Sequence, residues 1–326
     1  MTMCTAVTYK TKDHYFGRNL DLEHFFREVV TVTPRNYPFR FRRMGILSSH
    51  YAMIGMASVV DGYPLYYEAT NEKGLSMAGL NFPGFAAYYP ECDSKNNVTP
   101  FELIPWILGK CANIEEALKA LEQINLLNEP FSADIPLSPL HWIIADRNQA
   151  IAVESMKDGM RVQDNPVGIL TNSPPFDYHM LHLADFLNIH AGDAENRFAP
   201  NIPIQAYSRG LNTAGLPGDL SSASRFVKAA FTKLNSRSDD SEGSSVSQFF
   251  HILSSVAQQR GLVQIENDYE ITYYSCCCNT DKGVYYYTTY ENSQITAVDM
   301  KQENLNATEL ITYPLIVDQQ IHWINK

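Results

Sequence analysis

The fourth residue, Cys4, stands directly before a run of strand-forming residues, Thr5 to Tyr9. Loss of Met1 to Met3 would leave Cys4 with a thiol and a free α-amine on one residue. An α-amine has a reference pKa of about 7.7 to 8, so it can take the proton of its own side chain. Nucleophile and base then share one residue, and no catalytic histidine is required. Two routes remove the leader: trimming from a start at Met3, because Met before a small residue is readily lost, or self-cleavage after Met3. Both stay open, and an incidental near-terminal cysteine is the bland alternative.

Other residues could serve the same chemistry. Gly17-Arg18-Asn19-Leu20-Asp21 closes a second strand-like run that pairs naturally with the first. A cation at Arg18 would favour thiolate, and the Asp21 carboxylate could orient the amine. Asn81 and Asn172 each follow a strand-like run, where amide N–H groups can hold an oxyanion without titrating. Each also suits a turn. Arg225 falls in the first turn of a predicted helix, where a cation opposes the macrodipole and invites a search for a partner. The nine histidines carry no metal pattern. His179 and His182 share a helix face without a completing carboxylate, so they read as surface or packing residues.

The elements that must position these groups come in blocks. Strands are expected at Thr5 to Tyr9, Tyr15 to Asn19, Val29 to Thr33, Tyr51 to Ala57, Leu65 to Thr70 and Leu75 to Leu80. Helices are expected at Phe101 to Lys110, from Asn113 to about Ile124, at Tyr178 to Ile189, at Ala223 to Leu234 behind a Ser221/Ser222 cap, and at Val246 to Gln259 with a Ser245/Gln248 capping box. Ile135 to Pro139 and Ala206 to Ser222 read as loops. Further strands are expected at Trp142 to Ala145, Ala150 to Glu154, Gly168 to Thr171, Ile271 to Cys278, Val284 to Tyr290 and Gln294 to Asp299. Sheet and helix blocks alternate without a regular βαβ rhythm. The fold class is therefore α+β, with antiparallel sheets and helices grouped outside.

Composition narrows the partners. Hydrophobic residues make up 45% of the chain, enough for a sizeable core. With 36 acidic against 25 basic residues, nucleic acid is disfavoured. The Arg40, Arg42 and Arg43 cluster reads as the exposed side of a strand. No apolar run reaches the ~18 residues of a membrane helix, and no signal h-region opens the chain. Six cysteines with no zinc spacing, three of them consecutive at Cys276 to Cys278, point to reduced thiols and a cytoplasmic protein.

Met3-Cys-Thr-Ala-Val-Thr-Tyr9 followed by Tyr15-Phe-Gly-Arg-Asn-Leu-Asp21 resembles the choloylglycine hydrolase family, which holds bile salt hydrolases and penicillin V acylases. The resemblance continues through Asn71 to Gly74, Ala78 to Phe82, Pro136 to Trp142, Asn165 to Gly168, Leu170 to Asn172, Gly215 to Asp219, Ser224 to Phe226 and Asn292 to Thr296. Within the family it is strongest to bile salt hydrolases of gut lactic acid bacteria. It implies the four-layer αββα sandwich of N-terminal-nucleophile hydrolases, one domain over 4–326 behind a removed leader 1–3, and a homotetramer. It implies Cys4 as nucleophile with Arg18 and Asp21 beside it, Asn81 and Asn172 at the oxyanion, Arg225 in the pocket, and no cofactor or metal. The implied substrate is a conjugated bile salt. Asn81 favours it, since the family's penicillin acylases tend to carry Tyr there. Leu20, Leu22, Phe25, Ile135 and Leu137 are candidate apolar walls. One departure stands out: Met1-Thr2 precede the Met-Cys pair with which family members usually begin. Rival readings are a penicillin V acylase, a bile-acid-binding protein whose leader persists, and a Cys–His hydrolase using Cys92 or Cys111.

Overall fold

Alternation of small apolar and polar residues from Cys4 to Asp21 folds into one hairpin, and the rest of the fold builds outward from it. In the computed structural model, which describes residues 3–325, Cys4–Lys10 pairs antiparallel with His14–Leu22, placing Cys4 opposite Leu20 and Ala6 opposite Arg18. The strand therefore begins at Cys4 itself, one residue earlier than expected. Gly17 is required at the next pairing: a Cβ there would lie 1.9 Å from the Cys276 carbonyl oxygen of Ile271–Asn279.

These strands form a six-stranded sheet in the order Ile169–Leu170, Cys4–Lys10, His14–Leu22, Ile271–Asn279, Val284–Thr289, Thr296–Asp299. A second sheet has eight strands, in the order Gly159–Asp164, Ala150–Met156, Leu140–Ala145, Ser76–Asn81, Tyr63–Asn71, Met53–Val60, Val29–Thr33, Ile311–Pro314. Their pairings are antiparallel throughout.

The side-chain period of two sorts the second sheet between two cores. Ile54, Ala78, Leu80, Ile143 and Ala152 join the core shared with the first sheet. Met53, Met77, Trp142, Ile144 and Val153 join the core under Leu103–Lys110 and Ile114–Glu122. On the far side, Ser222–Asn235 and Glu242–Ser254 cover the first sheet through Phe226, Ala230, Phe249 and Leu253. Four layers result, helix, sheet, sheet, helix, as the family resemblance implied.

Local corrections have local causes. The helix expected over Tyr178 to Ile189 is Phe176–His182, tightening into a 3-10 turn at Leu183–Phe186. The last helix starts at Glu242, capped by Ser241, whose Oγ accepts the Ser244 N–H. Ser245 instead sits buried against Thr11, and Gln248 donates to Ser236, so that capping box does not form. Gly159–Asp164 and Ile311–Pro314 are strands that sequence reading passed over; both are sheet edges, the first without clean alternation and the second only four residues long. Among the described residues, no helix is long and apolar enough to cross a membrane.

Candidate active site

Cys4 lies at one end of the sandwich, with its side chain on the face of the hairpin that meets the second sheet. It is 2% exposed. Its backbone N donates to Asn172 Oδ1 at 2.7 Å. Arg225 reaches in from the first turn of Ser222–Asn235 and donates to Asn172 Oδ1 (2.8 Å), the Cys4 carbonyl (2.5 Å), Thr5 Oγ1 (2.6 Å) and the Leu220 carbonyl (3.1 Å). The Asn172 amide nitrogen donates to the Asn81 carbonyl at 2.8 Å. Two donors face Oδ1 and an acceptor faces Nδ2, so the amide has one satisfied orientation.

Arg18 is also buried. It donates to the carbonyls of Gly79 (2.6 Å) and Tyr67 (3.2 Å), and its Nε lies 3.9 Å from Glu68 Oε2. Tyr274 and Tyr285 hydroxyls donate to the two Glu68 oxygens at 2.7 and 2.6 Å. Asp21 accepts the Thr272 hydroxyl at 2.6 Å, and its other oxygen is 4.0 Å from Arg225. The Asp21 N–H donates to the Met3 carbonyl at 3.1 Å, and the Met3 N–H donates to Glu270.

These contacts set the charges. Burial pushes the Cys4 thiol above its ordinary range; Arg18 pulls hardest the other way, Asp21's charge adds to the rise, and Asp21's backbone N–H and Arg225 oppose it. Burial raises Asp21 to about 6 against the pull of Arg225, Thr272 and Arg18. Burial likewise lifts Glu270 to about 7, opposed by its bond from Met3. The site thus stores ionisable groups where neither charge state is comfortable, as reaction centres often do.

A family model described as linear amide C–N hydrolases, choloylglycine hydrolase family, matches residues 4–313. The chain belongs to the choloylglycine hydrolase family. It is 52% identical to a bile salt hydrolase/transferase of Lactiplantibacillus plantarum over 99% of this chain and 100% of that one. It is 37% identical to a conjugated bile acid hydrolase of Lactobacillus acidophilus over 95% of this chain and 100% of that one. Solved variants of the Clostridium perfringens conjugated bile acid hydrolase superpose with TM-score 0.92 at 36% identity, covering 99% of this chain and 100% of that chain. Penicillin V acylase from Agrobacterium tumefaciens shares the fold, with TM-score 0.73 at 18% identity over 95% of this chain and 90% of that one.

Of the choloylglycine hydrolase residues singled out by sequence, Cys4, Asn172 and Arg225 form one hydrogen-bonded unit. Asp21 and Arg18 border it, and Asn81 joins through its carbonyl. Leu20 and Leu22 are buried, Leu20 directly across from Cys4. Phe25 is half exposed and stacks on Tyr273, and Ile135 and Leu137 are half-buried in their loop. Met1 and Thr2 lie outside the described residues.

Sequence reading missed Thr5, Glu68, Thr272, Glu270, Tyr274 and Tyr285. Glu68 gave a signal, a carboxylate inside a strand of apolar alternation. Thr272 lies opposite Asp21 only through a non-local pairing. Two histidines, His141 and His179, are packing residues, fully buried and hydrogen-bonded to the loop that carries Asn172.

Proposed function

We propose that the chain hydrolyses the amide bond of glycine- and taurine-conjugated bile salts, with Cys4 as nucleophile once Met1 to Met3 are removed. The observation that carries this is the Cys4 nitrogen held on Asn172 Oδ1, which Arg225 also clamps. A free amine at that position has one hydrogen anchored and its lone pair free to face its own thiol. The amine takes the thiol proton as sulfur attacks the amide carbonyl carbon. The C–N bond breaks, the nitrogen leaves with that proton as the free amino acid, and a thioester remains. Water then attacks the thioester, the amine shuttles its proton to sulfur, and the bile acid departs.

Arg18 favours the thiolate transiently, offsetting the burial that keeps the resting thiol protonated. The Asn81 side chain, the second Asn172 amide hydrogen and nearby N–H groups supply the oxyanion donors. Leu20, Leu22, Phe25, Ile135 and Leu137 serve as walls for the apolar steroid, worth ~25 cal/mol per Å2 buried. The same thioester can pass to an amine instead of water, in keeping with the hydrolase/transferase names of relatives.

Two coarser readings accompany this. The six free cysteines suit a reducing cytoplasm. Leu187, Phe198 and Tyr207, each at least 85% exposed within one segment, suit burial between subunits of a homotetramer.

Initial rates on glycocholate, taurocholate and penicillin V test the function. Hydrolysis of the first two is expected to dominate, and Cys4→Ala is expected to lose more than ~10^4-fold with its circular dichroism unchanged. Preference for penicillin V, or an active Cys4→Ala, would overturn the reading.

A further inference from the structure

Asn172 can hold the Cys4 nitrogen only if its own backbone stays still. Every polar group it has is engaged. Its N–H donates to Ser222 Oγ at 2.8 Å, its side chain is fixed by Cys4, Arg225 and Asn81, and its carbonyl meets His179 Nε2 at 2.9 Å. The preceding carbonyl, Thr171, meets His141 Nε2, also at 2.9 Å. Two successive carbonyls of the same loop are thus each gripped by a fully buried imidazole.

The two imidazoles stand on different elements, a strand and a helix, and each is braced by an aromatic stack. His141 stands on Leu140–Ala145 and stacks on Phe82, with ring centroids 4.3 Å apart and planes 6° from parallel. His179 stands on Phe176–His182 and stacks on Phe226 at 4.8 Å and 20°. His141 Nδ1 lies 3.1 Å from Glu154 Oε1, which also accepts the N–H of Phe176 at the start of the His179 helix. One buried carboxylate therefore links both supports.

Carbonyl oxygens only accept, so Nε2 carries the proton in both rings. His179 Nδ1 is then bare, and no described residue partners it. A second proton there would be buried without an acceptor. Burial accordingly holds the ring's pKa down at about 4, with the Asn172 carbonyl and Glu154 raising it and His141 and Arg225 lowering it further. The ring is neutral through the working range and is not a proton carrier.

We propose that His141 and His179 are positioning residues that fix the Thr171 and Asn172 carbonyls, and through them the hydrogen bond from the Cys4 amine to Asn172 Oδ1. Neither ring touches the reacting atoms in this role. The proposal rests on the Cys4 mechanism above. Losing a grip lets the Asn172 peptide tilt, and misplacement on the scale of 1 Å can cost about 10^2-fold in rate.

His179→Phe keeps the stack and volume but loses the donor; His179→Gln keeps an N–H near the Nε2 position. On glycocholate, His179→Phe is expected to lower kcat by about tenfold to a hundredfold with KM within about twofold, and His179→Gln to recover kcat to within about threefold of the parent. A fully active His179→Phe, or a His179→Gln that falls as far as His179→Phe, would overturn the proposal. If His179→Phe does not fold, His141→Leu against His141→Gln is read the same way. A Cys4→Ala protein that retains activity defeats the mechanism itself. An inactive Cys4→Ala beside a fully active His179→Phe defeats only the positioning role.

Discussion

Arg225 shows how one side chain can organise a site. Its planar fork spreads over Cys4, Thr5, Asn172 and Leu220, and lysine, a point charge, cannot reproduce that set. Arg225→Lys is expected to lower kcat by about a hundredfold while leaving the chain folded, measured by steady-state kinetics beside circular dichroism. Asp21 carries the cost of the site. Its folded pKa of about 6 exceeds the ordinary 3.8, so the folded state holds the proton longer. Stability from this group is present below pH 3.8 and is lost as pH rises through 6, by roughly 3 kcal/mol at ~1.4 kcal/mol per unit. Asp21→Asn is expected to remove that part of the pH dependence in urea unfolding between pH 4 and 7, and to abolish turnover. An unchanged slope would show that the carboxylate is not strained. At this scale the sequence was informative where chemistry is local. Arg18 and Asp21 were legible because their strand is the hairpin partner of Cys4. Asn172 and Arg225 were candidates without a visible connection, since their contacts cross 168 and 221 residues to Cys4.

The hairpin packs so closely on Ile271–Asn279 that Gly17 leaves no room for a side chain. Gly17→Ala would drive a methyl into the Cys276 carbonyl across the sheet. Overpacking of this kind costs about 1–3 kcal/mol or more, because backbone cannot rotate away. A markedly lower thermal midpoint, or no soluble protein, is expected. The helix that carries His179 has a pH signature of the opposite sign to Asp21. Unfolded histidine takes a proton near 6.5 and folded His179 only near 4. Stability therefore falls as pH drops through that window, by at most roughly 3 kcal/mol. His14, buried and also held near 4, contributes in the same direction. His179→Gln is expected to flatten the acid limb of unfolding without removing it. Helix positions were readable from periodicity and serine caps, whereas the last helix start was not, because Ser241 and Ser245 offer similar local signals and tertiary burial of Ser245 decides between them.

Antiparallel sheets with helices grouped outside followed from block order, since such sheets need no crossover helices, whereas the four-layer order came only with the family resemblance. Both edge strands of the eight-stranded sheet escaped notice, Gly159–Asp164 for want of a clean alternation and Ile311–Pro314 for its length of four residues ending in proline. Assembly belongs to this scale as well. If the proposed homotetramer forms through the segment bearing Phe198 and Tyr207, Phe198→Lys combined with Tyr207→Lys is expected to shift its native mass toward smaller species, read by native mass spectrometry. An unchanged tetramer would place the interface elsewhere, and a monomeric parent would dismiss it. The central claim is that sulfur and base belong to one terminal residue. Intact mass and glycocholate turnover, measured on the same samples with leader retained and leader removed, test it most directly. Turnover is predicted to track the fraction of chains that begin at Cys4, and full turnover by chains still bearing Met3 would contradict the account.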